Sequence, residues 1–543
     1  MSQPSERFQS RSQQEKSRVF YYPILILAGV FLFFTAIAST SLWDNDEAIY
    51  SEIAKEMEEK NHWMTLMFNH HPWFCHPPLY MWCTAFLFKF FGASEFTARF
   101  FPAVFSILGL LAVFEFASFL WDRTTGFFAA VILATSLQYL VQGRMATMDS
   151  MLLCFLTLAF YTAWRGFEEK KKIWWRLFFL CASLATLTKG VFGLVYPIFI
   201  FGIFFLLQKE VREKTKEIPW FEGLGIYFVI SVPWFAYESI KYGNLFLYKV
   251  FYYFTYERVL TPVLNQAGPW YYYIPILLFG FLPWSGFLPA LFLKSWENRT
   301  NRSIFFLSVW VSATFIFFTL VQTKLPNYIF FLYPPLAMLL ARFFQSFSRW
   351  EKALGVFLTL AVVSGLWGGL EILAFKKLLP RELSGYMSHL LPIVMILAGG
   401  VFLALLASLW VKREKVMFSL LAISISVFWL TLNITFSPIA ESYKPMKPLA
   451  EKLYLYRQKM PEPVMAYHVA GTASLIFYGN TAIKTISRQK NFLFRWRHEK
   501  SYCFIEKGEL IKLKKKMNPY WILGEKRTLC LLTNFNPGLA NRN

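Results

Sequence analysis

Pro78-Leu79-Tyr80-Met81-Trp82-Cys83-Thr84-Ala85-Phe86-Leu87-Phe88-Lys89-Phe90-Phe91 is apolar almost throughout, yet it is only about fourteen residues long and carries Lys89. A helix needs about 20 apolar residues to cross a bilayer. The stretch is therefore too short to span and suits an amphipathic helix lying in the interface. This reading fixes the topology of everything downstream. Were the segment to cross, each later loop would change sides, Asp149 would face away from Asp46, and the distribution of basic loops would lose its pattern.

Outward from that stretch, the chain reads as a polytopic membrane protein. Of its 543 residues 56% are hydrophobic and only 16% charged, a balance that excludes an ordinary soluble globule. Apolar runs predict about thirteen spans, near 20–40, 98–120, 124–142, 150–166, 174–189, 190–208, 219–238, 270–293, 304–321, 327–341, 353–375, 388–411 and 416–436. The formal charge of +22 suggests nucleic acid until the Lys and Arg are mapped onto the loops. Clusters such as Lys170, Lys171 and Lys172, or Lys209, Arg212, Lys214 and Lys216, or Lys412, Arg413 and Lys415, all fall on one side. By the positive-inside rule that side is cytoplasmic, with Lys376, Lys377 and Arg381 as the chief exceptions, and membrane lipid replaces nucleic acid as the expected partner. The polar start leads into the first apolar run without a small-residue cleavage site, so that run is expected to remain as a helix.

The expected domains are a cytoplasmic tail over 1–19, a transmembrane domain over 20–436 and a soluble α/β domain over 437–543. Within the second, 41–97 reads as one long outer loop. It includes an amphipathic helix over Glu47–Met57, with Ile49, Ile53 and Met57 at helical spacing. On this topology Asp46, Glu47, the run Asn69-His70-His71-Pro72-Trp73-Phe74-Cys75-His76, Asp149, Lys189, Lys324 and the tail share the outer face. Ionisable groups at a membrane edge commonly serve a polar ligand or reaction. The tail predicts a helix over 447–459 and strands at 464–469, 502–505 and 529–532. Cys503 and Cys530 lie in it, and spacing leaves a disulfide between them open.

A set of motifs occurs in order: Asp46-Glu47-Ala48-Ile49-Tyr50, Pro77-Pro78-Leu79-Tyr80, Gly92-Ala93-Ser94-Glu95-Phe96-Thr97-Ala98-Arg99, Arg144 with Asp149, Leu187-Thr188-Lys189-Gly190, Pro233-Trp234, Gly268-Pro269-Trp270-Tyr271-Tyr272 and Thr323-Lys324-Leu325-Pro326-Asn327-Tyr328. Each is weak alone. Together they resemble the GT-C-fold glycosyltransferases that use polyprenyl-phosphate sugars, in particular the bacterial lipid A aminoarabinose transferases and their kin, the protein O-mannosyltransferases. The resemblance covers roughly 20–345. It implies an all-α GT-C-like membrane fold with a small C-terminal α/β domain, and an inverting transfer of sugar from a polyprenyl (undecaprenyl) phosphate to a lipid A-like acceptor at the periplasmic face of a bacterial inner membrane. Protein Ser or Thr is the alternative acceptor.

The resemblance also implies site residues. Asp46, Glu47 and Asp149 are the expected catalytic carboxylates, with Asp46 orienting or deprotonating the acceptor. Beyond the resemblance, a departing phosphate calls for fixed cations on the outer face, and His76, Arg144, Lys189, Arg258 and Lys324, with Tyr328, are the expected substrate-binding groups. Where the aminoarabinose transferases commonly read Glu-Lys before Pro-Pro, this chain has Cys75-His76. Cys and His can bind zinc themselves, so the expected cofactor is a divalent metal (Zn, Mg or Mn) on Glu47, Cys75 and His76, with no organic cofactor. Blander roles stand beside these. The acids suit a helix N-terminus, single cations suit lipid headgroups, and the Tyr and Trp runs suit an interfacial belt. A lipid flippase, or a scaffold that binds polyprenyl lipid without turnover, is the alternative outside the enzyme class.

Overall fold

The computed structural model describes residues 20–44, 46–208, 212–261, 266–375, 381–410 and 414–537, and leaves the side chains of 214, 373–388 and 414 undescribed. The tail 1–19 and the basic positions Lys209, Lys376, Lys377, Lys412 and Arg413 lie outside these residues. The chain divides into two compact units, one of residues 1–37, 74–80 and 100–436, the other of 38–73, 81–99 and 437–543.

The first unit is helical. Among the described residues eight helices in the chain are long and apolar enough to cross a membrane, and a ninth if the pair Tyr273–Gly280 and Ser285–Glu297, bent by 117°, counts as one. Helices also stand at the four remaining predicted runs: Phe20–Phe34, Arg123–Ala134 and Phe192–Leu207 are shorter, and Lys172–Lys189 carries three cations. Their starts have local causes. The Asp122 carboxylate accepts the Thr125 amide to open Arg123–Ala134, and the Asn301 side chain accepts the Ser303 and Ile304 amides to open Arg302–Leu320.

Between helices in lipid, close packing and hydrogen bonds replace the hydrophobic drive. The bundle shows both. Phe160 lies 4.1 Å from the Trp310 ring, and Phe201 stacks on Phe306 at 5.2 Å. The Trp310 indole N–H donates to the Tyr196 hydroxyl at 2.8 Å, which in turn pairs with the Thr314 hydroxyl at 2.7 Å. One junction bears on function. Gly190 takes φ +78, ending Lys172–Lys189, and a Cβ on Gly193 would lie 2.2 Å from the Thr186 nitrogen. A side chain at either glycine would disturb the tight turn that presents Lys189.

The second unit holds the helix Asp46–Lys60, longer than predicted at both ends, and, from Met81 onward, the 13-residue helix Leu79–Phe91. At 1.5 Å per residue the latter is about 20 Å long, short of the roughly 30 Å hydrocarbon core. Its tail region forms a sheet of β3 (Val464–Tyr467), β4 (Ile483–Ile486), β5 (Tyr502–Glu506), β6 (Trp521–Lys526) and β7 (Leu529–Thr533), ordered β4-β3-β5-β7-β6; β1 (Met67–Phe68) and β2 (His71–Pro72) form a separate small hairpin. β3 runs parallel to β4 and β5, while β7 is antiparallel to β5 and β6.

Alternation along β3 builds a core on each face of the sheet. Val464 and Ala466 join Leu449 and Leu453 of helix Met446–Lys459, whereas Met465 and Tyr467 join Phe492 and Trp496 of helix Gln489–His498. β4 and β6 escaped the sequence reading because Ile-Lys-Thr-Ile and Trp-Ile-Leu-Gly-Glu-Lys mix charge into short runs. The possible disulfide is answered by register: Cys503 faces Leu532 and Cys530 faces Ile505, and both cysteines are free and buried.

Candidate active site

Asp149 is the first residue of helix Asp149–Glu169, and Lys189 the last of helix Lys172–Lys189. These are the ends at which a helix favours an anion and a cation respectively. The two side chains meet there, Lys189 Nζ donating to Asp149 Oδ1 at 2.5 Å. Asn327 Nδ2 donates to the other carboxylate oxygen at 2.8 Å. Asp149 is buried, while Lys189 keeps 18% of its side chain exposed. The carboxylate is thus held by two donors and in turn holds the ammonium.

Lys189 lines a cavity of about 340 Å³ together with Cys75, His76, Arg258 and Tyr328. The Arg258 guanidinium lies over the Tyr328 ring at 6.0 Å, and its buried Nε has no hydrogen-bond partner. An orphaned buried donor is costly unless an acceptor arrives. His76 Nε2 lies 3.7 Å from Cys75 Sγ. Burial, with the Lys189 and Arg258 charges beside it, holds the His76 imidazole well below its ordinary range, so it is neutral at pH 7. Away from these groups the wall is apolar, with Phe192, Val195, Phe317, Val321 and Phe331. The cavity thus combines two cations with an otherwise largely apolar wall, the chemistry of a receptor for an anionic lipid head and its chain.

Two expected binding cations lie elsewhere in this unit. Arg144 Nη1 donates to the carbonyls of Leu32, Phe33 and Thr35 at 3.3, 3.3 and 2.5 Å, with the guanidinium 5.7 Å from the Trp429 ring. Lys324 Nζ donates to the carbonyls of Phe318, Thr319 and Val321 at 3.0, 2.5 and 2.5 Å. Each fastens the end of a helix and neither lines the cavity. Asn327 was not singled out by the sequence, although its motif was; an amide beside a buried carboxylate leaves no spacing signal.

Asp46 and Glu47 belong to the second unit. Asp46 is exposed at the first position of its helix. Glu47 is buried, and Arg99 grips both its oxygens, Nε to Oε1 and Nη2 to Oε2, each at 2.9 Å. Arg99 also donates to the carbonyls of Thr40 and Ser41 at 2.8 and 3.2 Å. This bidentate pair ties the start of helix Asp46–Lys60 to the backbone at Thr40 and Ser41.

Both Glu47 oxygens already accept from Arg99, and among the described residues no group of three or more His, Cys, Asp or Glu side chains is arranged to hold a metal ion.

The helical bundle with a small sheet domain matches solved GT-C membrane proteins. The structure of ArnT from Cupriavidus metallidurans bound to undecaprenyl phosphate superposes with a TM-score of 0.83 at 18% identity, covering 94% of this chain and 97% of that one. The oligosaccharyltransferase AglB from Archaeoglobus fulgidus, in complex with an inhibitory peptide and a dolichol-phosphate, gives 0.54 at 13%, covering 93% and 71%. Residues 75–237 match the family Dolichyl-phosphate-mannose-protein mannosyltransferase. In sequence, the undecaprenyl phosphate-alpha-4-amino-4-deoxy-L-arabinose arabinosyl transferase of Yersinia enterocolitica is 31% identical over 328 residues, 59% of this chain and 58% of the relative. An uncharacterized protein of Aquifex aeolicus is 29% identical over 327 residues, 60% and 64%. The matched stretch thus spans less than two thirds of the length of these relatives. The chain is a GT-C-fold membrane protein, similar to the aminoarabinosyl transferases and protein mannosyltransferases that its ordered motifs resemble.

Proposed function

We propose that the chain is a membrane glycosyltransferase that moves a sugar from a polyprenyl-phosphate donor to an acceptor outside the cytoplasm. The observation that carries this reading is the cavity itself, where Lys189 and Arg258, whose buried Nε is unsatisfied, share the lining with an apolar wall. When the bond between sugar and phosphate breaks, negative charge grows on the phosphate oxygen. Lys189, oriented by Asp149 and Asn327, and Arg258 are in place to bind that charge without reorganising. Asp149 thereby acts as a positioning residue. Neutral His76 can donate a hydrogen bond to the same phosphate. Asp46 is assigned the acceptor's proton from its motif alone, and direct attack on the sugar carbon inverts its configuration.

The similarity to the arabinosyl transferases favours a lipid A-like acceptor and a periplasmic site in a bacterial inner membrane. The family match over 75–237 favours a second reading, transfer onto protein Ser or Thr. The test is release of polyprenyl phosphate from membrane extracts by wild type and Asp46→Asn, with mass spectrometry of both lipid and protein fractions. Release by wild type alone, with a sugar mass gained in one fraction, supports the transferase and names the acceptor. Lipid movement across vesicles by both proteins, without release, overturns it in favour of a flippase.

A further inference from the structure

The small sheet domain carries a second charged cleft, of about 660 Å³, between the edge strand β4 and the start of helix Gln489–His498. Lys484, Arg488, Lys490 and Arg495 line it, with Glu499 as the one acid. Glu499 is already taken, accepting from Arg495 at 3.1 and 3.2 Å. Some other cations of this domain are paired, such as Lys507 with Glu525 and Lys512 with Glu509. Among the described residues Lys484, Arg488 and Lys490 make no side-chain hydrogen bond or ion pair.

The placement of these charges is unfavourable as it stands. Helices favour Ser, Thr, Asp or Asn as the first cap and acids in the first turn. Here the cap is Arg488, with no side-chain cap hydrogen bond, and Lys490 follows in the first turn. Protection of a sheet edge explains a lysine such as Lys484. It does not explain two more cations crowding the positive end of the neighbouring helix. Hydroxyl and amide donors from Thr485, Ser487 and Asn491 line the same cleft. An anion seated there would relieve the repulsion and meet the first-turn amides at once. The volume lies in the range of small-molecule sites, larger than a bare ion needs.

We propose that this cleft binds a phosphate monoester headgroup through Lys484, Arg488 and Lys490, separately from the cavity at Lys189. The probe is a short-chain phosphatidic acid, titrated calorimetrically into the purified full-length protein in neutral detergent, with phosphatidylcholine of equal chain length as control. Wild type should bind the phosphomonoester lipid and not the control, with affinity falling as salt rises from about 50 to about 500 mM. Lys484→Gln/Arg488→Gln/Lys490→Gln should weaken binding at least about tenfold. In a Lys189→Gln/Arg258→Gln background, which removes the cavity's own phosphate contacts, cleft binding should persist and the triple substitution should still weaken it at least about tenfold. All three cleft residues are exposed, so an unchanged melting temperature verifies the triple variant's fold. Competition by inorganic phosphate at equal strength would assign the site to the phosphate group alone, and competition by lipid only would assign it to a headgroup; both support an anion site. No binding by wild type, equal binding by the triple variant, or loss confined to the Lys189/Arg258 pair would overturn the proposal.

Discussion

The Lys189 ammonium and the Asp149 carboxylate meet at 2.5 Å where the last residue of one helix abuts the first residue of another. The cation is thus aimed by the backbone, through Gly190, as well as by its counter-ion. Asp149→Asn keeps the shape and removes the charge that aims Lys189. Donor binding should stay within about threefold while turnover falls about 10²-fold, as for a reacting group displaced by an ångström. Kinetics of donor cleavage on folded protein would separate the two.

Asn327 acts one step further out. Asn327→Ala removes one hydrogen bond to a charged oxygen, worth about 1.5–3 kcal/mol, so turnover should fall at least about tenfold. Asn327→Asp should be worse, because a second carboxylate would compete for Lys189. Equal activity of the two variants would argue against the relay.

Arg144 should behave differently from Lys189. It binds three carbonyls at the end of the first helix and not the cavity. Arg144→Ala should therefore lower stability by about 2–4 kcal/mol. Activity per folded molecule should stay within about twofold. Thermal melting in detergent, paired with turnover at low temperature, checks both.

Glu52, buried in helix Asp46–Lys60, has its carboxyl pushed up to about 8 by burial. A carboxyl raised in the folded state favours folding below its ordinary unfolded value near 4.5, and that contribution is lost as pH rises through about 8. Glu52→Gln should flatten the decline of stability between those limits and raise stability at pH 9 by on the order of 1–3 kcal/mol. A steeper decline in the variant would contradict the burial account.

The helices were legible because apolar length is a strong signal, and the thirteen-residue Leu79–Phe91 was legible as a short apolar helix. Within the site, Lys189, His76, Arg258 and Tyr328 announced themselves as polar groups at span edges and do line one cavity. Arg144 and Lys324 announced themselves in the same way, yet they serve carbonyls at helix ends. Sequence tells that a cation lies near an interface but not whether it points into a cavity or back onto the chain. Asn327 depends on a contact between distant segments, which leaves no spacing in the sequence.

The central claim is that Lys189 and Arg258 receive the phosphate of a polyprenyl lipid. Its most direct test is equilibrium binding of undecaprenyl phosphate to purified wild type and to Lys189→Gln/Arg258→Gln in the same detergent. The account predicts an affinity at least about tenfold lower in the double variant, with the melting temperature of the apoprotein little changed. Equal affinity in the two proteins would contradict it.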